Sequence, residues 1–213
     1  MKTMLRFGVA VILLAACSAA RAKHPIVFED LARVQRISDP QVSPDGKWIA
    51  YIVGVVDLEA NKTNNHIWIC SVDGGEVRQL TRGEASDTRP RWSPDGKSLA
   101  FISARGGTSQ VWILPLLGGE ARPLTSLTTE ADGVTWAAKG DTLLFTSQVY
   151  PDCADQACNQ RRLKQAAESK VKAQIIDELL YRHWDSWREG KYTHLFAVSA
   201  AGGAPRDLTP GAY

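Results

Sequence analysis

Long apolar runs are almost absent from this 213-residue chain. The one that exists, Phe7 to Ala16, is ten residues long and too short to cross a bilayer, so no transmembrane helix is expected anywhere. A charge bias is missing too, with 25 Lys and Arg against 23 Asp and Glu. That balance argues against nucleic acid or an anionic membrane as the main partner. Histidine is sparse, limited to His24, His66, His183 and His194. None of the four forms a His-x-x-x-His pair or neighbours a nucleophile candidate, which argues against metal and triad roles; His66 and His194 fall at strand starts, where half-exposed structural roles are expected. Nor is there a Gly-x-Ser-x-Gly, the turn that presents a nucleophilic serine beside an oxyanion hole. No catalytic residue, metal site or cofactor site is therefore assigned to any position.

What is present begins with a leader. Lys2 and Arg6 form a positive segment ahead of the apolar stretch, and Ala20-Arg21-Ala22 gives a small-x-small cleavage site, the pattern of a secretory signal peptide over residues 1–22. A second processing route stays open, because Leu14-Ala15-Ala16-Cys17 resembles a bacterial lipobox in which Cys17 becomes the lipidated N-terminus. Both routes predict a periplasmic or secreted protein, with membrane attachment only if Cys17 is lipidated. Loss of Lys2, Arg6 and Arg21 with the leader leaves a near-neutral chain.

Residues 23–213 are organised by two echoes in fixed order. Ser43-Pro44-Asp45-Gly46-Lys47 followed by Trp48 to Tyr51 returns as Ser93-Pro94-Asp95-Gly96-Lys97 followed by Ser98 to Phe101, and in worn form as Ala137 to Phe145. Behind each comes an apolar triplet, a double glycine and a Leu-Thr: Ile67, Gly74-Gly75 and Leu80-Thr81; Val111, Gly118-Gly119 and Leu124-Thr125; Leu195, Gly202-Gly203 and Leu208-Thr209. The first echo recurs after 50 and 44 residues, the double glycine after 44 and 84. Turn residues at fixed offsets with a period in the forties predict four short antiparallel strands per repeat. The fold class is all-β, an incomplete β-propeller of about three four-stranded blades, at about 38–81, 87–125 and 132–209. Cys70, within a predicted strand, is expected to be a buried small hydrophobe.

The 84-residue gap reflects an insertion at about 148–191. Leu163, Ala167, Val171, Ile175 and Leu179 recur every four residues, predicting one amphipathic helix from Asn159 to about Tyr181. Cys153 and Cys158 bracket a short loop ahead of it. In an oxidising compartment a disulfide is expected; zinc is the alternative, but no further Cys or His lies nearby at ligand spacing.

The Ser-Pro-Asp-Gly-Lys turns resemble the TolB-like propeller repeat. The segment Tyr181-Arg182-His183-Trp184-Asp185-Ser186-Trp187, followed by Gly190-Lys191-Tyr192 and His194-Leu195-Phe196, is similar to bacterial dipeptidyl- and acylaminoacyl-peptidases of the prolyl oligopeptidase family. So is the opening Phe28-Glu29-Asp30-Leu31 with Ile37 to Gly46. The resemblance implies an extracytoplasmic serine peptidase acting on short peptides from the N-terminus. Its propeller, of seven or eight blades, would gate and position substrate above a C-terminal α/β-hydrolase domain that this chain lacks. The alternative it implies is a TolB-like periplasmic binding scaffold without chemistry. The insertion is the candidate substrate-binding element: Asp177, Glu178 or Asp185 for a peptide α-ammonium, Trp184 or Trp187 for cation–π attraction, and Arg182 beside them. In a plainer reading, Trp184 and Trp187 are core anchors of the blade and Asp185 pairs with Arg182 or Arg188.

Overall fold

Turn chemistry sets the frame of the computed structural model, which describes residues 24–171, 173, 179, 182–184 and 186–212. The Ser43 hydroxyl donates to the Asp45 carboxylate (2.6 Å), which also accepts the Lys47 N–H (3.1 Å), while the Trp48 N–H donates to Ser43 Oγ (2.9 Å). Gly46 closes the turn at φ 71°, a left-handed conformation that costs glycine nothing. Ser93, Asp95, Lys97 and Ser98 repeat the network at the same three distances. In the third copy Ala137 and Lys139 replace the polar pair, and only backbone bonds remain, Gly140 N–H to Ala137 and Ala137 N–H to Thr142, both 2.9 Å.

Each turn joins the first two strands of a blade. Blade 1 contains β1 (Arg36–Val42), β2 (Trp48–Asp57), β3 (Lys62–Ser71) and β4 (Val77–Gln79); blade 2 contains β5 (Asp87–Trp92), β6 (Ser98–Ser103), β7 (Gln110–Pro115) and β8 (Arg122–Pro123). Blade 3 contains β9 (Asp132–Trp136), β10 (Thr142–Val149), β13 (Tyr192–Ser199) and β14 (Arg206–Asp207). All three are four-stranded antiparallel sheets with strands in chain order, so the fold is an open propeller, not closed. In blade 3 the insertion takes the place of the β10–β13 hairpin turn, and pairing continues to Val149 opposite Tyr192. The Leu-Thr echo also has a physical role: Thr81, Thr125 and Thr209 each accept, at 2.9 Å, the backbone N–H of the strand residue fourteen positions earlier, Ile67, Val111 and Leu195.

Burial follows blade position. β6 is buried from Leu99 to Ser103, on both faces, because blades lie on either side of it. β10 alternates, with Leu143, Phe145, Ser147 and Val149 buried, the pattern of a strand covered on one face. Ala50 and Ile67 of blade 1 pack with Leu99 and Phe101 of blade 2. Ala100, Ile102, Val111 and Ile113 on the opposite face of blade 2 pack with Val134, Leu143, Phe145, Phe196 and Val198 of blade 3. The Phe145 and Phe196 rings stack with centroids 5.6 Å apart. Cys70 is half-buried rather than buried, since it faces the uncovered side of blade 1.

The inner strands carry the polar part of each seam. β1, β5 and β9 are each interrupted by a bulge at a left-handed residue, Asp39 (φ 48°), Arg89 (54°) and Gly133 (62°). Arg91 Nη1 donates to both oxygens of Asp39 (3.0 and 2.9 Å), and Arg89 clasps Asp132 (2.5 and 3.1 Å). The Trp92 indole donates to the Gln41 carbonyl (2.9 Å) and the Trp136 indole to the Arg91 carbonyl (3.0 Å), one such bond per seam. The turns stack as well: a Cβ on Gly140 would lie 3.3 Å from Pro94, and one on Gly96 3.8 Å from Pro44.

The described residues from Gln35 onward form one compact unit, and those up to Val34 belong to another. Within the latter, α1 (Phe28–Arg33) is a six-residue helix whose Asp30 carboxylate accepts the Val27 N–H (3.1 Å). The leader, with Cys17, lies outside the described residues.

Candidate functional site

The insertion is attached to the blades by polar contacts. Its helix α2 runs Gln156–Glu168, thirteen residues, not from Asn159 to Tyr181. The apolar recurrence that predicted a longer helix is not rewarded by burial. Asn159 is the buried residue of α2, Leu163 is only half-buried, Ala167 is exposed, and Val171 and Leu179 beyond the helix are 72% and 86% exposed. Ser169 ends the helix in an extended conformation, its hydroxyl bonded at 3.2 Å within the next turn to Val171.

At the start of α2, Asp155 caps the helix by accepting the Cys158 N–H (2.7 Å). Asn159 Oδ1 accepts the Tyr150 N–H (2.9 Å), and Gln156 Oε1 accepts from Thr128 through its N–H (3.1 Å) and hydroxyl (2.9 Å), tying the helix to the link between blades 2 and 3. A Cys153–Cys158 disulfide spans the loop, Cα atoms 5.4 Å apart. Buried Tyr150 lies under the Arg162 guanidinium (4.6 Å) and near the Lys191 ammonium (5.9 Å); Arg162 also bonds Asp152 (2.6 Å).

Of the candidate substrate-binding residues, Arg182, Trp184 and Trp187 come together on one hairpin. β11 (Arg182–His183) pairs with β12 (Ser186–Trp187), Arg182 opposite Trp187, with Trp184 at the turn in a left-handed conformation (φ 56°). Trp184 is 87% exposed and Trp187 48%, so neither is a core anchor of the blade. Arg188 lies over the Tyr192 ring, 4.2 Å from its centroid. Asp177, Glu178 and Asp185 lie outside the described residues.

Sequence reasoning missed a polar hollow of about 510 Å³ on the inner side of blades 2 and 3, lined by Thr88, Thr129, Glu130, Asp132, Ser147 and Gln148. The Ser147 hydroxyl is committed to the Glu130 carbonyl (2.6 Å) and Thr129 Oγ (2.8 Å). Across the ladder from Ser147 stands His194, with Asp207 beyond it, but this is no triad. His194 is 4% exposed, its Nδ1 is 2.6 Å from Asp207 and its Nε2 2.8 Å from the Gly211 carbonyl, leaving neither nitrogen for Ser147. The expected half-exposure of His194 is thus corrected: it staples the chain beyond β14. Gln110 holds the equivalent place in blade 2, gripping Leu127 through N–H and carbonyl (2.9 and 2.8 Å), and His66 in blade 1 faces Asp87 at 3.8 Å. Asp87 is fully buried and held by Arg105 Nη2 at 2.7 Å to each oxygen. Among the described residues, no cluster of three or more His, Cys, Asp or Glu is arranged for a metal, and no helix is long and apolar enough to cross a membrane. What the arrangement offers is hydrogen-bonding groups, cations and the exposed Trp184 ring.

The dipeptidyl-peptidase 5 of Porphyromonas gingivalis is 36% identical over 188 residues, covering 84% of this chain and 25% of the relative. An acylaminoacyl peptidase structure from Pyrococcus horikoshii superposes with a TM-score of 0.63 at 19% identity, over 84% of this chain and 25% of that one. A putative TolB from Agrobacterium tumefaciens gives 0.52 at 20% identity, over 83% and 49%. These two likenesses concern the fold alone, and the chain spans about a quarter of the length of the peptidase relatives. The TolB beta propeller domain model matches residues 30–177, a span that begins before the first bulged inner strand and runs past the inserted helix. Repeated Ser-x-Asp turns, threonine-latched outer strands and four-stranded blades therefore have a common source: the chain belongs to the TolB beta propeller domain family.

Proposed function

We propose that this chain is the propeller part of an extracytoplasmic serine peptidase that removes short units from the N-termini of peptides. The propeller admits and positions the substrate, and a hydrolase domain outside this chain performs the chemistry. The observation that carries the reading is the 36% identity with a dipeptidyl-peptidase 5 over 84% of the chain. A span of that length includes blades 1 and 2 and the inserted helix wherever it begins, so the likeness extends beyond the common repeat. The leader pattern supports export. On the exposed β11–β12 hairpin, Trp184 and Trp187 offer open ring surface to a passing peptide, with Arg182 beside them.

The test is hydrolysis of chromogenic dipeptidyl substrates by the protein purified from the periplasm of its native cell, beside this chain alone. The native protein should cleave substrates with a free N-terminus, lose that activity to a serine-directed inhibitor, and discriminate less among substrates when Trp184 and Trp187 are replaced by Ala. The chain alone should show the background rate. A native protein that hydrolyses none of them refutes the reading. It would leave the second one, a periplasmic binding scaffold, which is equally compatible with the family match.

A further inference from the structure

The seam between blades 2 and 3 contains a hollow at a place where the seam between blades 1 and 2 has two large side chains. It measures about 500 Å³ and lies at the turns that join first to second strands, the end of the blades opposite the insertion. The repeat supplies its own control. Trp48, the first residue of β2, corresponds to Ser98 at the start of β6. The Leu116 N–H donates to the Lys97 carbonyl and the Ala200 N–H to the Asp141 carbonyl, both at 2.9 Å, so Leu116 and Ala200 are equivalent as well. Trp48 and Leu116 thus stand at the first seam where Ser98 and Ala200 stand at the second. Leu116 packs on the apolar cluster of the first seam, whereas Ser98 and Ala200 line the hollow.

The covered lining of the hollow is apolar and its exposed lining is cationic. Ile113 is buried and Trp136 half-buried, while Arg122 and Lys139 are exposed. At the first seam Arg78, the equivalent of Arg122, lies over the Trp48 ring (5.8 Å) and meets Glu76 at 3.4 Å. Arg122 has no such ring beside it. It donates from Nη2 to the Ala200 carbonyl (2.7 Å) and is paired with no acid among the described residues. Lys139 occupies the turn position that is Asp95 in blade 2, so the charge there is reversed, and its ammonium has no partner among the described residues. The turn closes through backbone bonds at Ala137 and Gly140, so it does not use Lys139 for its own shape. Asp95, the one acid lining the hollow, is already engaged by the Ser93 hydroxyl (2.6 Å), the Lys97 N–H (3.1 Å) and the Lys97 ammonium (3.9 Å).

We propose that this hollow binds a carboxylate carried on a small apolar group, the carboxylate held by Arg122 and Lys139 and the apolar group set against Ile113 and Trp136. The volume is that of a small-molecule site, with an apolar interior and a few convergent polar groups. A guanidinium matches a carboxylate with two parallel hydrogen bonds, and Arg122 has donors to spare. Two sources carry that chemistry, a free branched-chain acid and the C-terminal residue of a peptide. Because blade 2 supplies Arg122 and Ile113 and blade 3 supplies Lys139 and Trp136, the ligand braces the seam it fills. The insertion leaves the blades from their other end, so this site does not rest on the peptidase reading.

Isothermal titration of the protein produced in its native cell tests both sources, with isocaproate as the free acid and acetyl-Ala-Ala-Leu as the peptide. Isocaproamide and the C-terminal amide of the same peptide are the controls. At least one acid should bind, and its amide should bind at least tenfold more weakly. The acid that binds more tightly identifies the source. Two substitutions return the hollow to residues the repeat uses elsewhere. Lys139→Asp should weaken binding at least tenfold, and Ser98→Trp should abolish it by filling the space, each with its circular-dichroism melt retained. A protein that binds neither acid overturns the proposal, as do amides that bind as well as the acids. An acid whose binding survives both substitutions sits elsewhere, and if that holds for both acids the proposal falls. Should Ser98→Trp lose its melt, Ala200→Leu replaces it, and the same outcomes decide.

Discussion

Thr125 and Thr209 make the same hydrogen bond in opposite surroundings, and a matched pair of substitutions separates the bond from its burial. Each hydroxyl accepts a strand N–H at 2.9 Å. Thr125 is 4% exposed and Val111, whose N–H it satisfies, is fully buried, while Thr209 is exposed. Replacing Thr125 by the isosteric Val keeps the volume but leaves the Val111 N–H without a partner or access to water, a desolvation cost of about 1–3 kcal/mol. Gln110 Oε1 also loses the Thr125 donor at 2.7 Å, although it keeps the Leu127 N–H at 2.9 Å. A net loss of about 2 kcal/mol is expected, and with a urea m-value of about 2 kcal/mol/M the unfolding midpoint should fall by about 1 M. Thr209→Val should move it little, within about 0.5 kcal/mol, because Thr209 is exposed and water can take the place of its hydroxyl. Thr125→Ser, which retains the oxygen, should lie nearer wild type than Val does. Urea titrations of the three variants followed by tryptophan fluorescence decide the matter. Equal midpoints for Thr125→Val and Thr209→Val, or a serine variant as weak as the valine, would refute the argument that burial of the latched N–H sets the cost.

Arg105→Met strips the fully buried Asp87 of its guanidinium partner and should cost about 3 kcal/mol or more, with Asp87→Asn in the same chain recovering part of it; no recovery in chemical melts would show that Arg105 acts by packing over Phe101 and Trp112 instead. The carboxyls of Asp45, Asp73 and Asp95 are held below the ordinary aspartate value of 3.8, first by the Ser43, Ser71 and Ser93 hydroxyls and then by backbone N–H donors. A lowered folded-state pKa stabilises above that value and is lost as pH falls through and below it, so the triple Asn variant should show a flatter acid limb than wild type; parallel limbs below pH 4 would count against it. Peptide mapping without reductant should recover Cys153 linked to Cys158, and reduction should weaken the insertion by about 2 kcal/mol on loop-entropy grounds while leaving the blade melt in place; two free thiols would reject the bridge.

The blades were legible because their signals are local. A Ser-x-Asp turn is written within five residues, and its loss in Ala137-Ala138-Lys139 costs nothing visible because backbone bonds carry the hairpin. The Leu-Thr echo could be seen but not explained, since its partner lies fourteen residues away. What stayed illegible is long-range. Arg91 on Asp39 and Trp136 on the Arg91 carbonyl depend on which blades stack, and His194 on Gly211 on how the chain continues past β14. In the insertion, a four-residue apolar rhythm predicted a longer helix, yet Asn159 and Gln156, polar and unremarkable in sequence, do the docking. Aromatic residues suggested a core at Trp184, where the chain displays the ring to solvent.

The two seams share their polar contacts and differ in how much apolar surface they bury. Between blades 2 and 3 lies the larger apolar cluster, with the Phe145–Phe196 stack at its centre. Such a joint weakens on cooling, as apolar hydration loses its driving force. Between blades 1 and 2 the fully buried apolar set is smaller, and one ion pair crosses each seam, Arg91 with Asp39 here and Arg89 with Asp132 at the other. Both pairs are open to screening by added salt, the more exposed Arg89–Asp132 pair most of all. Cold therefore bears chiefly on the seam between blades 2 and 3, while salt bears on both, with blade 2 as the common leaf.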